Sequence, residues 1–462
     1  MPERKTIQAY LTAVEEQIRW KRARPVVALE LKRHLEDQRD AFAEEENSPE
    51  EAERLAVEEM GDPVTVGTEL DRIHRPRSAW GIFVPVMLSL AVWLGFRVYQ
   101  HWGVSYLADY YAPRWGGTIV LALGAMVLLY FLDYTLFGKR PLLAAGLVTA
   151  AVFGRPLLEV TLPSFSYTHS LGDYLPLLLP FAMALAIYAL REKGTRGLAA
   201  CCVLGLAPTL PWIALGWMQM LWPTLLCNTA LLMLAVKSGW FGGQKRNWLL
   251  VAGYALAALG AILLALTVLT GGAPHSLIDA VWRAQGGKDD YAVYSKRFVR
   301  ELLSNARLVG AADMPKEWEN PAQWQESLHW ILDFAHYDDM LFAVLANFGW
   351  LGFLAVQAPM AVLLAVGWRT CRRQTAVLGR LLASAVLLTL TWQAAAYVVQ
   401  TMTGLLGWKA LLTPFPYPLL SDGGTALVVD CALLGILLSV FHSSSIVRED
   451  SRGRAFIPRK TA

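Results

Sequence analysis

The sequence predicts an all-α polytopic membrane protein with about ten transmembrane helices, preceded by a small soluble helical domain. Hydrophobic residues make up 55% of the 462 positions, and charged residues make up only 17%. Apolar runs recur from Trp80 to His442, and they approach the roughly 20 apolar residues that one bilayer crossing requires. The segment 1–76 is instead charged and helical in its period.

The segment 1–76 has the pattern of about three helices, which we expect in the cytoplasm. Ser48 followed by Pro49 predicts a helix start, because serine caps free N–H groups and proline suits the first turn. Gly61-Asp62-Pro63 ends that helix. The charged N-terminus predicts no cleavable signal peptide. The stretch "ALELKRHLEDQRDAFAEEENSPEEAERLAVEEMGDP" resembles the small prefix domain found before many bacterial permeases, which implies a docking or regulatory module.

Ten spans are predicted within a membrane domain over residues 77–445. The fifth span is interrupted by Pro208 and Pro211, which predicts a broken or re-entrant helix. The loop 271–339, between spans seven and eight, is long enough for function to be sought there. The predicted spans cover residues 80–99, 115–137, 141–156, 172–191, 197–213, 222–240, 247–270, 340–367, 376–402 and 424–442.

The short-loop charges predict how the protein lies in a bacterial plasma membrane. Lys/Arg clusters lie on one side of the predicted spans, together with the segment 1–76 and the basic tail 446–462. The positive-inside rule makes that side cytoplasmic, and an even number of spans puts both termini there. The loop 271–339 carries seven Lys/Arg, yet long loops cross largely regardless of charge. We therefore expect this loop outside.

The five cysteines predict core packing rather than a disulfide framework or a metal site. All of them lie in or beside apolar runs, and none has metal-ligand spacing. They are Cys201, Cys202, Cys227, Cys371 and Cys431.

Two adjacent carboxylates, Asp338 and Asp339, stand at the end of the external loop, where the chain enters span eight. One interpretation is structural, because an aspartate caps a helix and favours the positive end of its dipole. The other is catalytic, because a carboxylate at an apolar boundary can act as a general base, and two neighbouring carboxylates titrate as a pair.

The stretch "HYDDMLFAVLANFGWLG" resembles a signature of the SEDS family (shape, elongation, division and sporulation), whose members include FtsW, RodA and SpoVE. Without gaps, the family's His, catalytic Asp and two Gly fall on His336, Asp338, Gly349 and Gly352. The resemblance therefore implies that Asp338 is the base, while Asp339 shares or replaces this role.

The stretch "PLLSDGGTALVVDCALLGILLSV" resembles a second signature of the same family. The resemblance implies that this segment lines a polar cavity beside Asp338; a tight turn into span ten is the structural alternative. Asp422 stands where the family has Tyr, and as a third carboxylate it would allow a divalent metal to bind. No metal ligand is assigned, and no other cofactor is expected. Asp430, inside span ten, should face a cavity or a partner. The candidate binding residues here are Ser421, Asp422, Gly423 and Gly424, alongside His336.

The external loop supplies candidate cations. In "YSKRFVRELLSNARLVG", the arginines share one helical face and apolar residues form the other. Such a helix would lie on the membrane with its cations toward anionic head groups, or would meet a negatively charged leaving group. The candidate substrate-binding cations are Arg297, Arg300 and Arg307, together with Arg283 by a looser match to the family.

The resemblance implies an inverting peptidoglycan glycosyltransferase that polymerises lipid-linked disaccharide (lipid II) in division, elongation or sporulation. It also implies a class B penicillin-binding-protein-type transpeptidase as a partner, and nothing indicates nucleic acid. The chain departs from the family pattern: Ala346 and Asn347 replace two Glu, and "FSYTHSLGDYL" replaces an R-W-I … Q-P-S-E motif. These departures favour a non-catalytic scaffold of the wall-synthesis machinery as an alternative. A transporter or flippase of lipid-linked sugars would be expected to show inverted repeats, and no clear repeat is seen.

Overall fold

A computed structural model describes residues 6–21, 23–44, 48–74, 80–103, 108–161, 174–207, 218–269, 301–314, 321, 324, 340–405, 417–420, 424–443, 448–449 and 455–456. The described residues form an all-α polytopic membrane protein with one two-residue strand pair near its C-terminus.

In the described part of the N-terminal segment there are four helices, where about three were predicted. They are α1 (Ile7–Gln17), α2 (Arg24–Glu44), α3 (Pro49–Glu59) and α4 (Pro63–His74). Helix α1 ends before Ile18, whose backbone is extended, and this end separates α1 from α2. The helices share a hydrophobic cluster separate from that of the membrane helices. The limits of the prefix domain stay a prediction.

The predicted start and end of α3 are confirmed. The Ser48 hydroxyl accepts a hydrogen bond from the Glu51 N–H at 3.3 Å. Gly61 has a φ of 81° and separates α3 from α4. The Asp62 carboxylate then accepts hydrogen bonds from the N–H and the hydroxyl of Thr65, at 2.9 and 2.8 Å, which lowers the pKa of Asp62 below its usual value.

Among the described residues, ten apolar helices overlap the ten predicted spans one for one. They are α5 (Trp80–Gly103), α6 (Ala108–Phe131), α8 (Pro141–Thr161), α9 (Leu179–Leu190), α10 (Gly194–Leu206), α11 (Met218–Lys237), α12 (Lys245–Leu269), α13 (Met340–Cys371), α14 (Val377–Leu405) and α15 (Gly424–His442). Length and composition alone qualify five described segments as membrane spans: Leu175–Leu206, Lys245–Leu264, Val344–Cys371, Val377–Val399 and Thr425–His442. Four shorter apolar helices accompany them. The number of crossings stays a prediction.

Local capping explains why α6 ends earlier than the predicted second span. The Asp133 carboxylate accepts hydrogen bonds from the N–H and the hydroxyl of Thr135, at 2.9 and 2.7 Å. This capping directs the chain into the short helix α7 (Thr135–Lys139). Helix α10 ends at Leu206, two residues before Pro208. The predicted break itself lies outside the described residues.

Helix α9 is the centre of the membrane domain. Almost all of its residues are buried, and it packs against α8, α10, α11 and α14. A helix that is apolar all round is expected in such a position. The most extensive helix pair is α6 with α15, and α13 packs against α5 and α14. All five cysteines are free, and four of them are buried.

Candidate functional site

Two of the predicted site residues, Arg307 and Gly424, lie within the described residues. The others lie outside them: Arg283, Arg297, Arg300, His336, Asp338, Asp339, Ser421, Asp422 and Gly423. The structure therefore describes three segments near the predicted site in the sequence: residues 301–314 of the loop 271–339, helix α13, and the turn that precedes α15.

Helix α13 is interrupted at Gly349, one of the two glycines of the first signature. Gly349 has φ 75° and ψ −172°, which is not helical. A break in a helix leaves carbonyl groups before it and N–H groups after it without their intrahelical partners. Because such groups must be satisfied when they are buried, the break requires partners from elsewhere in the chain.

The loop 271–339 supplies those partners. The N–H groups of Gly310 and Ala312 donate to the carbonyls of Phe348 and Ala346, at 3.3 and 2.9 Å. The N–H groups of Trp350 and Leu351 donate to the carbonyls of Arg307 and Leu308, both at 3.0 Å. We call these four hydrogen bonds between residues 307–312 and 346–351 the loop latch. The loop latch fixes residues 307–312 to α13, the helix that follows Asp338 and Asp339 in the sequence.

Gly349 is required by this contact as well as by its backbone conformation. A Cβ added at Gly349 would lie 2.6 Å from the Arg307 carbonyl oxygen and 3.0 Å from Leu308 backbone atoms. Its positive φ also lies in a region that side chains other than glycine rarely adopt. The family's first glycine thus has a physical role in this chain, which is to admit the loop into the broken helix.

The predicted interfacial helix of the loop is wrong in two respects. The helix ends at Asn305, so Arg307 does not continue a helical face with Arg297 and Arg300. Leu302 and Leu303, expected on the membrane surface, are buried in the membrane domain core. The physical reason is the loop latch, since residues from Arg307 onward use their backbone groups for α13 and cannot extend the helix. Outside the described residues, the helix stays a prediction.

Arg307 is exposed, and its charge already has a partner. Its guanidinium donates a hydrogen bond to the Asp313 carboxylate, and 58% of the Arg307 side chain is accessible. This hydrogen bond lowers the pKa of Asp313 below its usual value. The Asp313 N–H in turn donates to the Asn305 carbonyl at 3.0 Å. An anionic ligand at Arg307 would have to compete with Asp313.

The turn before α15 is buried, and Asp430 of α15 holds it. Residues 417–420 are buried, and Leu419 adopts a φ of 63°. The Leu420 N–H donates to the Tyr417 carbonyl at 3.0 Å. The Leu419 N–H donates to Oδ2 of Asp430 at 3.1 Å. The sequence expectation that Asp430 faces a partner is therefore confirmed, and the partner is the backbone of the second signature.

Sequence reasoning missed Gln393 and Tyr397 of α14, which surround this turn. Gln393 is fully buried and faces the Asp430 carboxyl group. Oδ1 of Asp430 and the amide of Gln393 nevertheless make no hydrogen bond of normal geometry with the described residues. The ring of Tyr397 lies edge-on to that of Tyr417, with 5.8 Å between centroids. The sequence signal that could have identified Gln393 was the presence of a glutamine inside an apolar predicted span.

An apolar cavity of about 490 Å³ lies between α8, α9, α10 and α11. Its walls are built largely from small side chains, including Ala145, Gly146, Ala182 and Gly205. Within the part of the chain that the structure describes, no cluster of three or more His, Cys, Asp or Glu could hold a metal ion. The three carboxylates considered for a metal, Asp338, Asp339 and Asp422, lie outside that part.

Comparison with known proteins identifies the segment that carries both signatures. Residues 331–446 match the family model FTSW_RODA_SPOVE, described as a cell cycle protein. This segment contains α13, α14, α15 and the buried turn. No curated protein sequence matches the chain closely enough to count as a relative.

Solved structures with a similar chain path include a peptidoglycan synthase complex whose description concerns the structural coordination of polymerization and crosslinking. Its matched chain has 18% identity and a TM-score of 0.49, with 79% of this chain and 98% of that chain covered. The rod shape determining protein RodA of Thermus thermophilus matches with 17% identity, a TM-score of 0.43, and 80% and 98% coverage. A mutant of that RodA matches equally. Over residues 331–446, the segment that carries both signatures, the chain is similar to the FtsW/RodA/SpoVE cell cycle proteins.

Proposed function

We propose that the chain is an inverting peptidoglycan glycosyltransferase that polymerises lipid-linked disaccharide at the outer face of a bacterial plasma membrane. The observation that carries this proposal is the family match over residues 331–446, which contains both signatures in one segment. The family resemblance assigns the base to Asp338, with Asp339 as its neighbour. It assigns the cavity lining to Ser421, Asp422, Gly423 and Gly424.

The proposed chemistry is a single displacement. The carboxylate of Asp338 takes the proton of an acceptor sugar hydroxyl, and that oxygen forms a bond to the anomeric carbon of the donor sugar. The bond from that carbon to the lipid pyrophosphate breaks, and the pyrophosphate leaves with the electron pair. Attack from the opposite face inverts the anomeric centre. A positioned base contributes roughly 10²–10⁴-fold to such a reaction, and cations stabilise the leaving group.

The loop latch supports a role for Arg307 in meeting that leaving group. The Arg307 carbonyl accepts a hydrogen bond from the Trp350 N–H, which holds Arg307 against α13, the helix that follows Asp338 and Asp339 in the sequence. The Arg307 guanidinium would then exchange the Asp313 carboxylate for the leaving pyrophosphate. We assign Arg283, Arg297, Arg300 and His336 to the same substrate only through the resemblance.

The apolar cavity between α8, α9, α10 and α11 is our candidate for the hydrocarbon chain of the substrate. Small side chains line it, so helices can approach closely around it while leaving space for a chain. A divalent metal between Asp338, Asp339 and Asp422 is not needed for the proposed displacement, and the metal dependence is left to experiment.

The proposed orientation places both termini in the cytoplasm. The ring of Trp20, in the N-terminal segment, lies edge-on to His442 at the end of α15, with 5.3 Å between centroids. This contact supports a common side for the prefix domain and the end of the last predicted span. A class B penicillin-binding-protein-type transpeptidase is the proposed partner, as the family resemblance implies.

A non-catalytic scaffold is the alternative, and it is favoured by the stretch "FSYTHSLGDYL", which stands where the family has its R-W-I … Q-P-S-E motif. The test compares Asp338→Asn and Asp339→Asn with wild type for polymerisation of lipid-linked disaccharide, alone and with a candidate transpeptidase, at matched membrane abundance. We expect Asp338→Asn to lose roughly 10²–10⁴-fold in rate and Asp339→Asn to lose less. Asp133→Asn is the control, because asparagine also caps a helix.

The outcomes separate the hypotheses. Loss of activity in Asp339→Asn alone would keep the enzyme but move the base by one residue. Wild-type activity in both variants would remove the carboxylate pair from catalysis and leave its capping role. No polymerisation by the wild-type protein with any partner would favour the scaffold. Movement of lipid-linked sugar across vesicles without polymerisation would instead favour the transporter.

A further inference from the structure

Asp430 is a carboxyl group that the proposed chemistry does not use, in a position where a carboxyl group is costly. It is fully buried in α15, a helix apolar and long enough to be a candidate membrane span. Ionisable residues inside membrane helices are rare because their desolvation is unfavourable, and they generally have a specific partner. The partner of Asp430 is the backbone of Leu419, eleven residues earlier in the sequence.

The hydrogen bond from Leu419 shows that the second signature enters the helix bundle before α15 begins. Helix α15 starts at Gly424, and Asp430 lies six residues further along, about 9 Å by helical rise. Since Oδ2 of Asp430 is only 3.1 Å from the Leu419 N, Leu419 lies beside the interior of α15 rather than beyond its first residue. Non-helical backbone at this depth must have its polar groups satisfied by protein.

The backbone conformation of the turn at Leu419 depends strongly on the hydrogen bond from the Leu419 N–H to Asp430. Leu419 has a φ of 63°, a conformation that residues other than glycine adopt only where the surroundings enforce it. Its side chain is fully buried, so water cannot replace the acceptor for its N–H. The neighbouring Leu420 N–H is already used by the Tyr417 carbonyl.

The second oxygen of Asp430 faces α14. Gln393 of α14 is fully buried and faces Asp430. Oδ1 of Asp430 and the amide group of Gln393 make no hydrogen bond of normal geometry with the described residues. Whether it is protonated or ionised, the Asp430 carboxyl group can accept from the Leu419 N–H through Oδ2 and form a hydrogen bond with the Gln393 amide through Oδ1. An asparagine can do the same, because its amide has one acceptor and one donor group.

We propose that Asp430 is a positioning residue, which holds the buried turn at 417–420 against α15 and faces Gln393 of α14, so that residues 418–420 of the second signature keep their place in the helix bundle. Asp430 acts as a hydrogen-bond linker and exchanges no proton with the substrate. The linkage itself is independent of the reaction, whereas its effect on activity rests on the proposed glycosyl transfer.

The test uses full-length protein in lipid nanodiscs and two variants, Asp430→Asn and Asp430→Leu. Hydrogen exchange in a peptide that contains residues 417–420 reports the linkage, and polymerisation of lipid-linked disaccharide at matched protein level reports the function. Ser439→Ala is the matched control, because Ser439 makes a buried hydrogen bond to the Leu132 carbonyl at 2.6 Å elsewhere on α15. The control should leave both measurements close to wild type.

We expect Asp430→Asn to keep both measurements within about threefold of wild type, since amide and acid offer the same bonds. Asp430→Leu should accelerate exchange of the turn by roughly 10- to 100-fold, as expected for loss of a hydrogen bond to a buried group, and should lose polymerisation to a similar degree. If Asp430→Leu does not accumulate, Gln393→Leu takes its place. It removes only the α14 side and should accelerate exchange by a few fold.

Three results would overturn the proposal. Equal losses in Asp430→Asn and Asp430→Leu would mean that the carboxylate itself is needed. Unchanged exchange in Asp430→Leu would mean that the turn does not depend on this bond. Faster exchange with full polymerisation would remove the turn from the site. Absence of polymerisation in wild type would refute the proposed function, while the exchange measurements would still decide the linkage.

Discussion

At the scale of residues, the described part of the site depends on two unusual backbone conformations. Gly349 has a φ of 75° and Leu419 a φ of 63°, and each lies in a family signature. Each is held by hydrogen bonds from a distant part of the chain. Residues 307–312 bind the helix break at Gly349, and the Asp430 carboxyl group accepts from the Leu419 N–H. Strain of this kind is kept where the surrounding structure enforces it, and such places are often functional.

Replacing Gly349 with alanine should disrupt the loop latch. The new Cβ would lie 2.6 Å from the Arg307 carbonyl, and the positive φ would add about 1–3 kcal/mol of strain. We expect a lower unfolding temperature and faster hydrogen exchange in residues 307–312. Gly260→Ala is the control, because a Cβ there meets nothing within 4 Å. An unchanged latch in Gly349→Ala would contradict the docking of the loop into α13.

At the scale of elements, close approach between helices fixes how α15 sits in the bundle. Gly435 of α15 faces α6, where an added Cβ would lie 2.5 Å from the Met126 carbonyl oxygen and 3.0 Å from Leu129. Small residues allow membrane helices to approach in this way. Because the buried turn is bonded to α15 through Asp430, the position of α15 also determines where the second signature lies.

Gly435→Ala should therefore weaken the α6–α15 pair. Overpacking a tight contact typically costs about 1–3 kcal/mol, so we expect a lower midpoint of thermal unfolding in detergent. The comparison is with Gly124→Ala on α6, where an added Cβ has no neighbour within 4 Å and alanine favours the helix. Equal stability of the two variants would argue against close packing at Gly435.

At the scale of the whole molecule, the N-terminal helical segment contacts the end of α15. The N-terminal helices have their own hydrophobic cluster, and Trp20 contacts His442 at the end of α15. The Tyr130 hydroxyl of α6 lies 3.2 Å from Nδ1 of the same histidine. This junction connects the prefix segment to the helix whose other end carries the second signature.

The orientation can be measured by thiol labelling on intact spheroplasts, in a variant whose five native cysteines are replaced. A cysteine at Val309, an exposed position in the external loop, should react with an impermeant reagent. One at Lys193, exposed at the predicted cytoplasmic side, should react only after permeabilisation. Labelling in the opposite sense would invert the topology and move Asp338 away from the outer face.

The sequence predicted the site only in part. It indicated Gly349, Gly424 and Asp430 through the signatures and through a carboxylate in an apolar run. It placed Arg307 on an amphipathic helix, which was wrong because the loop latch ends that helix at Asn305. It missed Gln393 because a single buried glutamine has no pattern that specifies its partner. Asp338 as the base stays a prediction.

By itself, the sequence determined the all-α membrane class, the positions of the apolar helices, the cap at Ser48 and the helix end at Gly61-Asp62-Pro63. These features follow from local properties, namely the length of apolar runs and the hydrogen bonds of residues three or fewer positions apart. Only the tertiary structure decided that residues 307–312 pair with a break in α13 and that Asp430 holds the turn at Leu419. These contacts join backbone groups to distant parts of the chain. Because backbone groups are the same in every residue except proline, no residue pattern in the sequence marks such contacts.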